Sequence, residues 1–223
     1  MMQTDELITR LGEDLVAVRR AAPPWRRAAL WLAPSAAAGA AVALGFGLRA
    51  DLAQRLADPR FVLETGLALL TAIAAAWAAF CAGRPDEPAW KLWLPMLPLA
   101  LWLATLGQPC LLILVTRGPA GLVVTQDAMC LPAIAAGGLV PAVAITALLR
   151  RVTPFRRGHA SFCGALAAAA LGACALRFYH TQDAAIMVLI WQLGSVAILT
   201  AAGSWIGRHL LPALRVTFPG AGA

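Results

Sequence analysis

The sequence is short of charge. Asp, Glu, Lys and Arg make up 13% of its 223 residues and 61% are hydrophobic, whereas soluble domains carry about a quarter charged residues. This shortage excludes an ordinary soluble domain and indicates a membrane protein. A membrane-crossing helix needs about 20 largely apolar residues. We therefore predict an all-α membrane protein with six transmembrane helices, at 28–48, 61–82, 92–107, 130–149, 160–176 and 184–206. The end of the third stays open, because its apolar run continues to Val115.

Long hydrophilic segments are also lacking. The loops between these stretches are too short for a folded soluble domain, and residues 4–27 form the one sizeable hydrophilic run. This run does not resemble a cleaved signal peptide, because four acids precede an apolar core long enough to stay in the bilayer. We predict three regions, which are a cytoplasmic amphipathic segment (1–27), a six-span domain (28–206) and a cytoplasmic tail (207–223).

Charge is scarcest inside the predicted spans. Transporters and proton pumps place ionisable residues there to bind or relay an ion. Glu64 is one turn inside the second stretch, where it is expected to reach back to the interface or to cap its helix. The scarcity argues against a small transporter or exporter, which remains an alternative.

Catalytic motifs are missing as well. The sequence contains no H-E-x-x-H, G-x-S-x-G or C-x-x-C pattern, and its three histidines fall at helix ends or in a loop. We predict no enzymatic activity and no cofactor. A membrane thiol-redox protein using Cys110 and Cys130 is kept as a second alternative.

The distribution of positive charge predicts the orientation. Lys and Arg in short loops mark the cytoplasmic side, and 13 of the 18 fall in the N-terminus, the 83–91 and 150–158 loops and the C-terminal tail. Both termini are therefore expected in the cytoplasm. We expect these cations to contact lipid headgroups of the bilayer, with no direct binding of nucleic acid. Four tryptophans near this side are typical of interfacial residues, namely Trp25, Trp31, Trp90 and Trp93.

Five cysteines divide between the two sides. Cys81 and Cys163 lie near the cytoplasmic side and are expected to pack as small apolar residues. Cys110, Cys130 and Cys174 lie at or near the exported face. For Cys110 and Cys130, packing and a redox or metal-responsive role are both open.

The N-terminal segment has helical periodicity over residues 4–20. Five apolar side chains fall within an arc of about 100°, and an isolated four-turn helix is marginal in water. Its apolar stripe could lie on the membrane, on the protein's own loops, or in a groove of a soluble partner. The four acids disfavour the membrane and the loops are short, so we favour the helix-in-groove mode. The residues predicted to contact the partner are Leu7, Ile8, Leu11, Leu15, Val18, Arg19 and Arg20.

The order of several motifs resembles the NrsF family of bacterial membrane anti-sigma factors. These motifs include "VRR…PP" (Val18 to Pro24), "DL…LADPRF" (Asp51 to Phe61) and "RFYHTQD" in the last exported loop. The resemblance implies a six-span protein that sequesters an extracytoplasmic-function sigma factor through its N-terminal segment. It also implies release of that sigma factor on an external metal or oxidative signal.

The resemblance further implies candidate sensing residues. Family members often carry two exported-side cysteines, of which the first corresponds to Cys130 and the second follows a histidine. Here Thr181 follows His180, so Cys110 or Cys174 replaces the second thiol or this member senses without a pair. The sensing candidates are Cys110, Cys130, Cys174 and His180.

Overall fold

The protein is a bundle of helices. The computed structural model describes residues 4–13, 22–121, 129–151, 154–181 and 185–211, and contains no β-strand within them. Six helical stretches are long and apolar enough to cross a membrane, which confirms the predicted all-α fold class. Their main helices are α2 (Pro24–Phe46), α4 (Pro59–Cys81), α5 (Met96–Arg117), α6 (Cys130–Arg150), α7 (Arg157–Leu176) and α9 (Leu193–Leu210).

Shorter elements complete the described chain. They are α1 (Thr4–Glu13), α3 (Leu52–Leu56), α8 (Ala185–Met187), 3₁₀ turns at Ala89–Trp93 and Pro119–Gly121, and a π-helical segment at Val188–Gln192. The spanning helices alternate in direction. One end of the bundle, called the α3 end below, carries α3 and the turn after α7. The opposite end, the terminal end, holds the start of α2 and the end of α9.

The end of the third span, which the sequence left open beyond residue 107, lies at Arg117, because α5 continues that far and contains Pro109. The apolar run after Pro109 continues the helix, which ends only where Gly118 takes a φ of 69°. Helix α2 begins at Pro24, four residues before the predicted span, because proline is favoured at a first helical position, where no N–H partner is needed.

Helix α7 forms the centre of the bundle. Almost all of its residues from Ala160 to Leu176 are buried, and it packs on α2, α4, α6 and α9. Its small residues permit close backbone approach, as helices in lipid commonly do. A Cβ at Gly172 would lie 2.5 Å from the carbonyl oxygen of Ile134 on α6, so glycine is required there by contact between the two backbones.

Helix α2 packs on α6 through a buried tryptophan. Trp31 is 0% exposed, and its indole Nε1 donates a hydrogen bond to the carbonyl oxygen of Pro141 at 2.9 Å. The interfacial position predicted for Trp31 was therefore wrong, because its indole N–H has a partner inside the bundle. Trp25, Trp90 and Trp93 are exposed at the terminal end, in agreement with an interfacial position.

The predicted N-terminal helix is present in α1, over Thr4–Glu13. Residues 14–21 lie outside the described part of the chain. Within the described residues, α1 has no extensive packing against the spanning helices. Ile8, on the predicted apolar stripe, is 62% exposed.

Candidate functional site

The α3 end of the bundle holds a cluster of charged side chains, called the ionic cluster below. Local structure positions it. Asp58 begins α4 by accepting a hydrogen bond from the backbone N–H of Arg60 at 3.0 Å, as an N-cap aspartate does. The chain after α7 turns at once, with the N–H of His180 donating to the carbonyl of Leu176 at 2.9 Å. The members are Arg49, Asp51, Arg55, Arg60, Glu64 and Arg177.

A buried ion pair joins α4 to the end of α7. Arg177 Nη2 lies 3.0 Å from Glu64 Oε2, and both side chains are 7% exposed. Arg60 contacts the other Glu64 oxygen at 2.9 Å. Glu64 does not cap its helix, because Asp58 holds that position, and its carboxylate is held by two arginines instead. A buried carboxylate is retained only where opposite charge and hydrogen bonds compensate for lost water, and the two arginines provide both.

Arg49 ties the segment after α2 to the turn after α7. Its backbone N–H donates to the carbonyl of Phe178 at 3.1 Å, and its Nη1 donates to the carbonyl of His180 at 3.1 Å. The same guanidinium makes a bidentate contact with Asp51, at 2.7 and 2.9 Å. Bidentate pairs of this kind fix geometry as well as charge, so Arg49 holds this turn in place.

Two further interactions reinforce this arrangement. The guanidinium groups of Arg49 and Arg177 lie 5.8 and 4.7 Å from the ring centre of Phe61, which is within the range of cation–π attraction.

The pKa of the Asp51 carboxyl lies well below its usual range, chiefly because Arg49 donates hydrogen bonds to the carboxylate. Asp51 is therefore a carboxylate at neutral pH.

A small cavity adjoins the ionic cluster. Its volume is about 10 Å³, close to the space that one water molecule needs. Cys130, Arg177, His180 and Gln192 supply its polar lining. Gln192 ends the π-helical segment and donates from Nε2 to the carbonyl of Ala173 at 2.9 Å. Single-turn π segments are frequent at functional sites.

The cavity brings together two of the four sensing candidates. Cys130 and His180 both line it, whereas Cys110 and Cys174 do not. Cys110 Sγ lies 3.3 Å from the carbonyl of Leu106 on its own helix, and Cys174 Sγ lies 4.0 Å from the carbonyl of Thr65. All five cysteines are buried and none forms a disulfide. Among the described residues there is also no group of three His, Cys, Asp or Glu side chains suited to a metal ion.

The predicted partner-binding residues belong to the N-terminal segment. Leu7, Ile8 and Leu11 belong to α1, and the described side chain among them, Ile8, is exposed. The side chains of Leu7 and Leu11 lie outside the described residues, as do Leu15, Val18, Arg19 and Arg20 entirely.

Sequence reasoning missed most of the ionic cluster. Arg49 and Arg177 were counted only as loop charges. The available signal was Glu64, because a carboxylate inside a span indicates an oppositely charged partner nearby. Choosing Arg177 as that partner requires the packing of α4 on α7. Nothing in the sequence pattern indicated Gln192.

The comparisons with known proteins point to one family. The model of NrsF, described as negative regulator of sigma F, matches residues 11–212, which is most of the chain. No curated protein and no solved structure matches the chain.

Proposed function

The chain belongs to the NrsF family of negative regulators of sigma F, and from this premise we propose that it is an anti-sigma factor of the bacterial inner membrane. It sequesters an extracytoplasmic-function sigma factor on the cytoplasmic side. It releases that factor when a metal or oxidative signal is felt outside. The family name supports the regulation of a sigma factor, and the partner class, the signal and the orientation are our proposals.

The sigma factor binds the N-terminal segment. The observation that carries this assignment is α1, a helix with an exposed Ile8 and no extensive packing among the described residues. An amphipathic helix that does not pack extensively on the described spanning helices is suited to a groove on another protein. We assign the contact to the predicted apolar stripe, with two basic residues beside it. The set is Leu7, Ile8, Leu11, Leu15, Val18, Arg19 and Arg20.

The membrane bundle tethers this segment and receives the signal. The excess of Lys and Arg at the terminal end supports a cytoplasmic position for both termini. The α3 end then faces outward, with Cys130 and His180 at one cavity. We assign the receiving role to this cavity, because a change at Cys130 would directly affect Arg177 and the turn that Arg49 holds.

A reporter for the controlled genes tests the N-terminal assignment. The double substitution Leu11→Asp and Leu15→Asp buries two carboxylates in the partner interface, so we expect derepression to the level given by deletion of residues 1–20. Membrane protein levels should stay unchanged, because α1 does not pack extensively on the described spans. Thr9→Asp is the control, since it adds one of these two negative charges on the opposite side of α1 and should leave repression intact. Full repression by the double variant at normal abundance would refute the assignment.

A further inference from the structure

A long apolar groove runs along the terminal half of the bundle, between α6, α7 and α9. Its volume is about 470 Å³. Leu139, Val143, Ile206 and Leu210 form its walls and are each between 48% and 62% exposed. The groove is therefore open sideways, toward the surface of the bundle that faces lipid.

Small residues on α7 and α9 form the floor of the groove. Gly203 and Gly207 of α9 approach Ala165 and Ser161 of α7 so closely that an added Cβ would lie 2.9 and 3.1 Å from them. Gly164 continues the same floor. Because α9 lies tightly on α7 here, the apolar channel runs over this floor, between the lining residues of α6 and those of α9.

The length of the groove corresponds to one leaflet of a bilayer. Its wall on α6 extends from Leu139 to Arg150, which is about 16 Å at 1.5 Å per residue. The hydrocarbon core of a bilayer is about 30 Å thick. The groove thus begins at the terminal end of α6 and stops near the middle of the membrane, as a lipid chain does.

The mouth of the groove is cationic. Arg150 lines it, and Arg157 reaches it by donating from Nη1 to the carbonyl of Leu211 at 3.4 Å. No Asp or Glu lines the groove in the part of the chain that the structure describes. Within that part, no carboxylate pairs with Arg150 either.

We propose that this groove binds one phospholipid with an anionic headgroup. Its acyl chain lies against the apolar walls, and its phosphate lies beside Arg150 and Arg157. Basic pockets between transmembrane helices are suited to anionic headgroups. A free phosphate would make no use of the apolar walls, so the lipid is the occupant that accounts for both parts of the groove.

Native mass spectrometry of the full-length protein in detergent tests this proposal. The protein is titrated with dioleoyl phosphatidylglycerol and, separately, with dioleoyl phosphatidylcholine, which has the same acyl chains. We expect retention of one phosphatidylglycerol in clear preference to phosphatidylcholine. Arg150→Gln should weaken that binding about fivefold, the effect of one arginine beside an anionic headgroup.

Two further variants separate the parts of the site. Ala142→Phe fills the groove from a lining position and should abolish retention while the cations remain. Arg26→Gln is the matched control, because Arg26 is exposed at the same end and does not line the groove. Retention should be unchanged in this control.

Several results would overturn the proposal. They are equal retention of the two lipids, an equal loss in Arg26→Gln, or full retention in Ala142→Phe. Binding that appears only after removal of residues 212–223 would assign the groove to that segment instead. Loss of the lipid in step with formation of a dimer would assign it to a second copy of the chain.

Discussion

At the scale of single residues, the buried carboxylate of Glu64 is held by two arginines that differ in exposure. It lies 3.0 Å from Arg177 and 2.9 Å from Arg60, yet Arg177 is buried while Arg60 is about half exposed. The two arginines therefore differ in the cost of leaving them unpaired. Removing one member of a buried pair costs about 3–5 kcal/mol, whereas an exposed pair contributes about 1 kcal/mol or less.

This difference gives the first stability prediction. Glu64→Gln leaves Arg177 buried without its carboxylate, so we expect the free energy of unfolding to fall by about 3–5 kcal/mol. Arg60→Gln removes the half-exposed partner and should lower it by about 1 kcal/mol or less. Thermal unfolding of the purified protein in one detergent measures both. Equal losses of unfolding free energy in the two variants would contradict the claim that burial makes Arg177 need the Glu64 carboxylate more than Arg60 does.

Arg49 and Arg55 offer a matched comparison, because both contact Asp51 but Arg49 also reaches the carbonyls of Phe178 and His180. His180 lines the cavity that holds Cys130. We expect Arg49→Ala to loosen the turn and to speed labelling of Cys130 by a membrane-impermeant maleimide at least several-fold. Arg55→Ala should leave the rate unchanged. The measurement uses a chain in which Cys130 is the sole cysteine, and equal rates in the two variants would contradict the role of Arg49.

Asp51 makes a predictable contribution to the pH dependence of stability. Its pKa is lowered in the folded protein, chiefly by hydrogen bonds from Arg49. A lowered carboxyl pKa contributes stability that is complete above the ordinary value, about 3.9, and is lost as pH falls through the folded pKa. Asp51→Asn should therefore lower the unfolding temperature at neutral pH and flatten its decline below about pH 4. An unchanged acid decline in that variant would contradict this assignment.

At the scale of elements, the close approach of α6 and α7 is the contact that a substitution tests best. A Cβ at Gly172 would lie 2.5 Å from the carbonyl oxygen of Ile134, whereas a Cβ at Gly66 on α4 meets nothing within 4 Å. We expect Gly172→Ala to lower the free energy of unfolding by about 1–3 kcal/mol, because the backbones must separate. Gly66→Ala should be neutral or slightly stabilising, since alanine favours a helix. Thermal unfolding compares the two, and a neutral Gly172→Ala would contradict the packing.

The elements were largely predictable from the sequence, and their contacts were not. Apolar length located all six spanning stretches, since length is what the bilayer demands. It left the end of α5 open, because Gly107 and Pro109 are typical breakers but an apolar run follows them. It also misjudged Trp31 and did not give the partners of Glu64. Burial of an indole or a carboxylate depends on which helix lies opposite, here α6 and α7, and hydropathy along one helix carries no such information.

At the scale of the whole molecule, the two ends of the bundle differ in kind. The α3 end carries paired charges and the Cys130 cavity, whereas the terminal end carries exposed arginines such as Arg26 and Arg150 and is where the N-terminal segment joins α2. The central helix α7 connects them, with Arg177 just after its last residue and Arg156 just before its first. This arrangement suits a protein that receives a signal at one end and holds a partner at the other.

The family and its regulatory role could be predicted from motif order, and the family model agrees. The candidate sensing site could be predicted only in part. Cys130 and His180 meet at one cavity, but Arg177 and Gln192 join them through packing of α7 on α4 and on the last span. The residues proposed to hold the sigma factor lie mostly outside the described residues, so a direct binding measurement is the test of their role.

Co-purification of the cognate sigma factor with the full-length, detergent-solubilised protein tests the central claim most directly. We predict recovery of the sigma factor with the unaltered chain and with Thr9→Asp. We predict its loss with the Leu11→Asp and Leu15→Asp double variant, which should unfold at the same temperature as the unaltered chain. Equal recovery with the double variant would contradict the claim that the N-terminal helix holds the sigma factor.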